Sequence, residues 1–514
     1  MPSTRPLRQQ VRRVGAGAGI NNRRILNTRR SLPIFVVLPT VLCVIALWQS
    51  VFLDTSTPAL DTQKKHLFRN SGGNVTSTSF KEDANFPDHY LTFSTSCSTY
   101  QNWQSFFLFY SAHKVNQPGQ VIRIVSGCTA TQRTELEDFH ETVIKKLSPN
   151  FHIHFTPDFS RIGGDDDSFV YYNKPFGMQH FMTHWLKYDD EESNNNEKLT
   201  NSIIILLDPD MILLRPLTCD FTSSNVMIHK SLERGPPKVK KVLHGQPWAS
   251  LYGYRDEPFT LDLKYIFANH TDSPAFNVTI EEQLHNYAGG PPYMATGKDM
   301  WAIVHAWTEL VPHVRHVQDG IMGEMYGWVL GAAHLRLPHT LAESFMISAT
   351  QMGDDEGWPL IDSLKDEEVC EYHHSVRTKK EYYEDKLPYT IHYCQQYWLG
   401  KWYIGKFRLD SDFLTCGKEL LMEPPKNISK EYDFFIKPGW LGKGKSYGEK
   451  EPVSPEIAKR EAFMICQLIS LFNDAAAWFK DTKCEEGTAK YEKSFIFHHS
   501  LDPDINEGGE KKVK

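Results

Sequence analysis

The stretch Ser202-Ile203-Ile204-Ile205-Leu206-Leu207-Asp208-Pro209-Asp210-Met211 constrains this chain more than any other. Five consecutive large aliphatics need cover on both faces, which is the situation of a strand inside a mostly parallel sheet flanked by helices. Ligand sites in such sheets gather beyond the carboxyl ends of the strands. In extended backbone, residues i and i+2 point the same way, so Asp208 and Asp210 can offer oxygens to one hard divalent cation, as a metal-diphosphate site requires. The competing reading is a buried strand that ends in an ordinary Asp-Pro turn.

Around this run, strands alternate with helices. Tyr90-Leu91-Thr92-Phe93-Ser94-Thr95 alternates like a strand, residues 102–114 suit a helix, and Val121-Ile122-Arg123-Ile124-Val125 and Phe151-His152-Ile153-His154-Phe155 read as further strands. A helix over residues 175–187 precedes the aliphatic run, and the whole predicts a doubly wound α/β sheet. Two other acidic runs, Gly163-Gly164-Asp165-Asp166-Asp167 and Asp189-Asp190-Glu191-Glu192-Ser193-Asn194-Asn195-Asn196, lack a buried strand ahead of them and read as solvated loops.

Charge is unevenly spread. Residues 1–53 hold eight arginines and no Asp or Glu; with −7 for the whole chain, the remainder carries −15, that is −7 less the arm's +8. An acidic body argues against a nucleic-acid backbone as partner. The apolar segment at residues 32–53 is long enough to cross a hydrocarbon layer about 30 Å thick at about 1.5 Å per residue. Its basic flank, residues 1–31, predicts a cytosolic tail and a lumenal body, the arrangement of a type II signal anchor. A cleaved signal peptide is the alternative; the length of the segment and the lack of a small-x-small site close after it favour the anchor. Residues 54–88, rich in Ser, Thr, Asn and charge, read as a stem.

Sequons at Asn74, Asn269, Asn277 and Asn427 all follow the anchor and point to the secretory pathway. Cys43 lies in the anchor; the eight remaining cysteines, Cys97, Cys128, Cys219, Cys370, Cys394, Cys416, Cys466 and Cys484, are even in number and suggest disulfides whose pairing spacing does not give. No Cys/His cluster has the spacing of structural zinc. Residues 426–514 read as a C-terminal extension: a Lys-, Gly- and Pro-rich stretch, then apolar residues at helical spacing from Ile457 to Phe479. That spacing predicts one amphipathic helix packed on the body.

Six motifs stand in register: Tyr100-Gln101-Asn102-Trp103-Gln104-Ser105, Gln117-Pro118-Gly119 with Arg123, Asn173-Lys174-Pro175-Phe176-Gly177, Asp208-Pro209-Asp210-Met211, Gly323-Glu324-Met325-Tyr326-Gly327 and Ile391-His392-Tyr393-Cys394. In this order they resemble the hydroxyproline O-arabinosyltransferase-like glycosyltransferases of plants and algae, including the peptidyl serine α-galactosyltransferases. The likeness spans roughly residues 90–425, so the catalytic domain is expected at 89–425.

The resemblance implies a GT-A-like (Rossmann-type) fold, a UDP-sugar donor of arabinose or galactose held through Mn²⁺ or Mg²⁺, a Ser or hydroxyproline hydroxyl of a protein as acceptor, and a Golgi membrane location, with the ER as the alternative. It places Asp208 and Asp210 on the metal, Asp208 also on the donor's ribose side, and His392 as a third ligand. Neutral imidazole is compatible with Mn²⁺, and a structural histidine is the alternative. Lys174 reaches a donor phosphate or is solvated at a helix start. Glu324, on an apolar helical stretch at residues 320–330, is either the acid/base or sugar-positioning group or a structural carboxylate; an inverting transfer requires such a base, whereas in many retaining ones the leaving phosphate takes the proton. Gly289-Gly290-Pro291-Pro292-Tyr293 reads as a rigid loop near the acceptor or a plain turn. Gln246-Pro247-Trp248 and Glu343-Ser344-Phe345 are placed at the donor or acceptor site by resemblance alone. The rivals are a transferase with a glycan or lipid acceptor and an inert lumenal binding or scaffold protein. A metal hydrolase is disfavoured, because no second His/Asp cluster supplies a dinuclear site.

Overall fold

The computed structural model describes residues 87–162, 168–188, 196–229, 240–351, 355–370, 386–409, 412–436 and 450–495. The basic tail, the anchor, all but the end of the stem, and the acidic runs at 163–167 and 189–195 lie outside the described residues.

The chain lays down β1 (His89–Ser96), β2 (Gln120–Ser126), β3 (Phe151–Thr156), β4 (Ile203–Leu207), β5 (Met211–Leu213), β6 (Trp248–Leu251), β7 (Gly289–Thr296), β8 (Thr340–Ala342), β9 (Met346–Ile347) and β10 (Thr390–His392). Seven of these form the central sheet in the order β3-β2-β1-β4-β7-β6-β8, and β5-β10-β9 form a small second sheet. β1 to β4 run parallel, whereas β7 is antiparallel to both β4 and β6, so the sheet is mostly parallel with one reversed strand.

The aliphatic run forms β4, buried at every residue. Ile203, Ile205 and Leu207 face the core that holds helix α1 (Thr99–Lys114), while Ile204 and Leu206 face the one built by α2 (Asn173–His184) and α3 (Gly297–Val317). Side chains alternate across a strand, so a strand covered on both sides must be apolar at every position. Ser98 caps α1 by accepting from Gln101 N, and Thr296 caps α3 by accepting from Asp299 N. α4 (Gly323–His334) packs on α3, close enough that a Cβ on Gly327 would sit 3.0 Å from Trp307 Cδ1.

One sequence expectation is corrected here. Gly289-Gly290-Pro291-Pro292-Tyr293 is not a loop near the acceptor but the first half of β7. The two glycines answer to crowding from β6: a Cβ on Gly289 would lie 2.8 Å from Ala249 Cβ, and one on Gly290 would lie 2.3 Å from the Tyr252 ring. Glycine inside a strand often marks such a close approach rather than a turn.

The C-terminal helix α5 (Pro455–Lys483) is long and apolar enough to cross a membrane, yet 83% of its most apolar window is buried inside the protein. Burial by the protein's own side chains makes it a core helix. Phe472 stacks on Phe107 of α1 at 4.1 Å between ring centroids and also meets Trp103 and Tyr393. A disulfide from Cys370 to Cys466 tethers this helix, and Cys97–Cys128 and Cys416–Cys484 close two further loops. Cys219 and Cys394 are buried thiols, so six of the eight body cysteines pair. Glu461 on α5 accepts from Trp398 N at 2.8 Å and from the Thr350 hydroxyl, and burial pushes its carboxyl up to about 7 against those two bonds.

Removing the Phe472 ring should be costly, since it fills space between three aromatics: Phe472→Ala is expected to lower stability by about 3–5 kcal/mol in denaturant melts. Glu461 gives a pH signature. A carboxyl with a raised folded pKa stabilises fully below its unfolded value, and that contribution is lost as pH rises through the folded value. The parent protein should therefore lose ground to Glu461→Gln between pH 4.5 and 7 by about 2–3 kcal/mol, read as the change in their stability difference across a pH series.

Candidate active site

β4 ends at Leu207, and the turn after it, closed by Met211 N donating to Asp208 O at 3.1 Å, presents Asp208 and Asp210 at the carboxyl edge of the sheet. β5 then pairs antiparallel with β10, setting His392 opposite Met211, and Tyr393 N donates to Asp210 O at 3.1 Å. This pairing carries the imidazole to the carboxylates: His392 Nε2 lies 3.3 Å from Asp210 Oδ2, and one ligand atom from each of Asp208, Asp210 and His392 lies within 4.8 Å of the others. Two carboxylate oxygens and one imidazole nitrogen form a donor set suited to Mn²⁺, and less selectively to Mg²⁺.

Each carboxylate also has its own ammonium. Lys174, at the start of α2, is buried to 9% exposure and lies 2.7 Å from Asp208 Oδ1 and 3.3 Å from Glu324 Oε1. Burial works against its charge, but Asp208 and Glu324 overcome this and hold its pKa above the ordinary lysine value. The solvated alternative for Lys174 is thereby excluded. Lys406, 2% exposed and just beyond a short strand at Trp402–Gly405, bonds to Asp210 Oδ2. Burial alone would raise the Asp210 carboxyl, and Lys406 with His392 holds it far below the usual range instead.

Glu324 sits in the first turn of α4, 5% exposed. Burial pushes its carboxyl up to about 7, with Asp208 adding to the rise and Lys174 opposing it. Its Oε1, though within ion-pair distance of Lys174, has no hydrogen-bonded partner and borders the same cavity as the two aspartates. That cavity has a volume of about 600 Å³, with Ser126, Asp158 and Tyr171 towards β2 and α2, and Tyr252, Glu356 and Cys394 towards β6 and β10.

Other motif residues hold the scaffold. Arg123 donates to Asn102 Oδ1 at 2.7 Å and to Thr95 Oγ1 at 2.9 Å, tying β2 to β1 and α1, while burial lowers its pKa to about 9. Gln117 exchanges bonds of 2.8 and 2.9 Å with the backbone of Leu217. Gln246-Pro247-Trp248 and Glu343-Ser344-Phe345 do not line the cavity: Trp248 and Phe345 stack in the core, and Glu343 pairs with His229 at 3.0 Å. Their aromatic rings are drawn inward by apolar burial, which the resemblance did not show.

Sequence reasoning missed Lys406, Tyr252 and Glu356. A lysine following the apolar Trp402-Tyr403-Ile404 is the only local cue to Lys406. Glu356, pushed up to about 7 by burial, accepts from Ser348 N and Oγ at 2.5 and 2.6 Å and has no cue at all in its surroundings.

No family model matches the chain. A peptidyl serine alpha-galactosyltransferase of Arabidopsis thaliana is 26% identical over 275 residues, covering 51% of this chain and 28% of the relative, so the chain spans less than a third of that protein's length. This relative bears out the likeness to the peptidyl glycosyltransferases over half of the chain. Among solved structures, the bifunctional glycosyltransferase WbbM is 11% identical over 60% of this chain and 46% of its own, with a TM-score of 0.30. The galactosyltransferase LgtC in complex with donor and acceptor sugar analogs is 10% identical over 60% of this chain and 87% of its own, also at 0.30.

Removing one partner of a buried ion pair leaves an uncompensated charge. Lys406→Met is expected to lower stability in EDTA by about 3–5 kcal/mol, and added Mn²⁺ should restore more of the melting temperature in this variant than in the parent.

Proposed function

We propose that the protein is a metal-dependent glycosyltransferase that moves arabinose or galactose from a UDP-sugar to a Ser or hydroxyproline hydroxyl of a secretory-pathway protein. The observation that carries this reading is the convergence of Asp208, Asp210 and His392 in the lining of one cavity that also holds Glu324. Residues 32–53 anchor the chain in the Golgi membrane with the body lumenal, a reading supported by three disulfides, which persist in oxidising compartments.

Asp208, Asp210 and His392 would hold Mn²⁺ or Mg²⁺, which would stabilise the charge developing on the departing nucleoside diphosphate. The remaining work belongs to the chain's own groups. Lys174 and Lys406 already balance the two aspartates, so a divalent cation arriving alone would leave the cavity over-charged with positive groups. A diphosphate entering with the cation removes that excess and gives both ammoniums new oxygens to bind. Glu324 Oε1, lacking a hydrogen bond and held near neutrality in its proton affinity, is placed to take the acceptor hydroxyl's proton or to fix the sugar.

Three outcomes are expected. Calorimetry should show Mn²⁺ binding weakly alone and much more tightly with UDP present; tight binding that ignores UDP would contradict the charge argument. UDP-galactose or UDP-arabinose with a peptide bearing Ser and hydroxyproline should yield UDP only with both metal and peptide, and Asp210→Ala should abolish this. An Asp210→Ala protein with parental nucleotide binding in Mn²⁺ would instead favour an inert binding protein. Glu324→Gln should lower kcat by about 10²–10⁴-fold with little change in KM if the residue is the base.

A further inference from the structure

His392 has two ring nitrogens with different neighbours. Nε2 faces Asp210 Oδ2 at 3.3 Å, and Nδ1 faces the Tyr252 hydroxyl oxygen at 3.4 Å. Without a metal His392 pairs as a cation with Asp210; to bind one it must be neutral and keep a single proton. If that proton is on Nε2 it is spent on Asp210 and the nitrogen cannot bind a cation; if it is on Nδ1, Nε2 keeps a lone pair directed at the carboxylates. The group that meets Nδ1 therefore decides whether His392 is a ligand. A phenol oxygen can accept as well as donate.

Tyr252, the residue after β6, is held in place for this by its backbone. Its N–H donates to Ala288 O at 2.8 Å, and the register between β6 and β7 shifts at Ala249/Ser250, just before it. Its ring lies across Gly290, where a Cβ would come within 2.3 and 2.4 Å of ring carbons Cδ2 and Cε2. Gly290 is thus the seat on which the phenol rests, which gives the glycine pair in β7 a use beyond strand packing. Cys394 is a second side chain bonded to His392, and a thiol is the weaker acceptor of the two.

We propose that Tyr252, seated on Gly290, is a positioning residue that accepts the Nδ1 proton of His392 and thereby fixes the tautomer whose Nε2 binds the cation. This rests on the reading of Asp208, Asp210 and His392 as a metal site.

The test is Mn²⁺ binding to the full-length chain in detergent, measured from the electron paramagnetic resonance of free Mn²⁺ at saturating UDP, with no sugar transfer involved. Tyr252→Phe keeps the ring on Gly290 and removes only the acceptor; it should weaken Mn²⁺ binding about 10–100-fold with an unchanged melting temperature in EDTA. Gly290→Ala touches none of the ligands, yet should weaken binding comparably by displacing the phenol. His392→Ala separates the two levels. If that variant binds Mn²⁺ as the parent does, the metal reading itself fails. If it loses Mn²⁺ while Tyr252→Phe stays within about threefold of the parent, far short of a displaced outer-shell partner, the role of Tyr252 is overturned. Should Gly290→Ala not fold, Tyr252→Phe decides alone.

Discussion

The site depends on one buried carboxylate. Asp210, with 6% of its surface exposed, cannot remain ionised without cations close by, and it takes them from Lys406 and His392. Lys406 lies 196 residues further along the chain. The short antiparallel pairing of β5 with β10 makes this closure possible, because it is the place where the far part of the chain crosses the ends of the parallel strands. The C-terminal helix supports the same point from behind: Phe472 packs against Tyr393, the neighbour of His392. Site and core are therefore assembled by the same long-range contacts.

The charges in the cleft are arranged for exchange. Asp208 pairs with Lys174 from the helical face of the sheet, and Asp210 pairs with Lys406 from the opposite core. Neither carboxylate is left bare, and neither is sealed off, since both border the cavity. Under the proposed function, a cation and a diphosphate entering together would change the partners of charges already buried, with the desolvation cost met in folding and more of the binding energy left for the reacting groups. Glu324 shares Lys174 with Asp208, and burial, with Asp208 adding to it, raises its carboxyl against that cation.

The motifs that carry the family likeness divide by physical role. Lys174, Asp208, Asp210, Glu324 and His392 meet at the cavity, whereas Arg123 with Asn102, and Gln117 with Leu217, are clamps that hold strand ends and loops in register below it. A motif in a sequence does not distinguish these roles, since a buried clamp and a ligand-binding group are constrained alike.

The sequence by itself determined the elements whose cause is local. The parallel strands, the helices α1 and α2 and the strand-end position of Asp208 and Asp210 follow from period and the abrupt end of an aliphatic run. His392 was legible only through the likeness, whereas Glu324 was also marked by the apolar helical stretch around it. Tertiary structure alone decided that Gly289 and Gly290 belong to a strand crowded by β6 and Tyr252, and that Trp248 and Phe345 turn inward. It also decided that Lys406, Tyr252 and Glu356 join the site. These depend on which surfaces meet across gaps of tens to hundreds of residues, and periodicity, which records only how a segment repeats along its own axis, carries no information about that meeting.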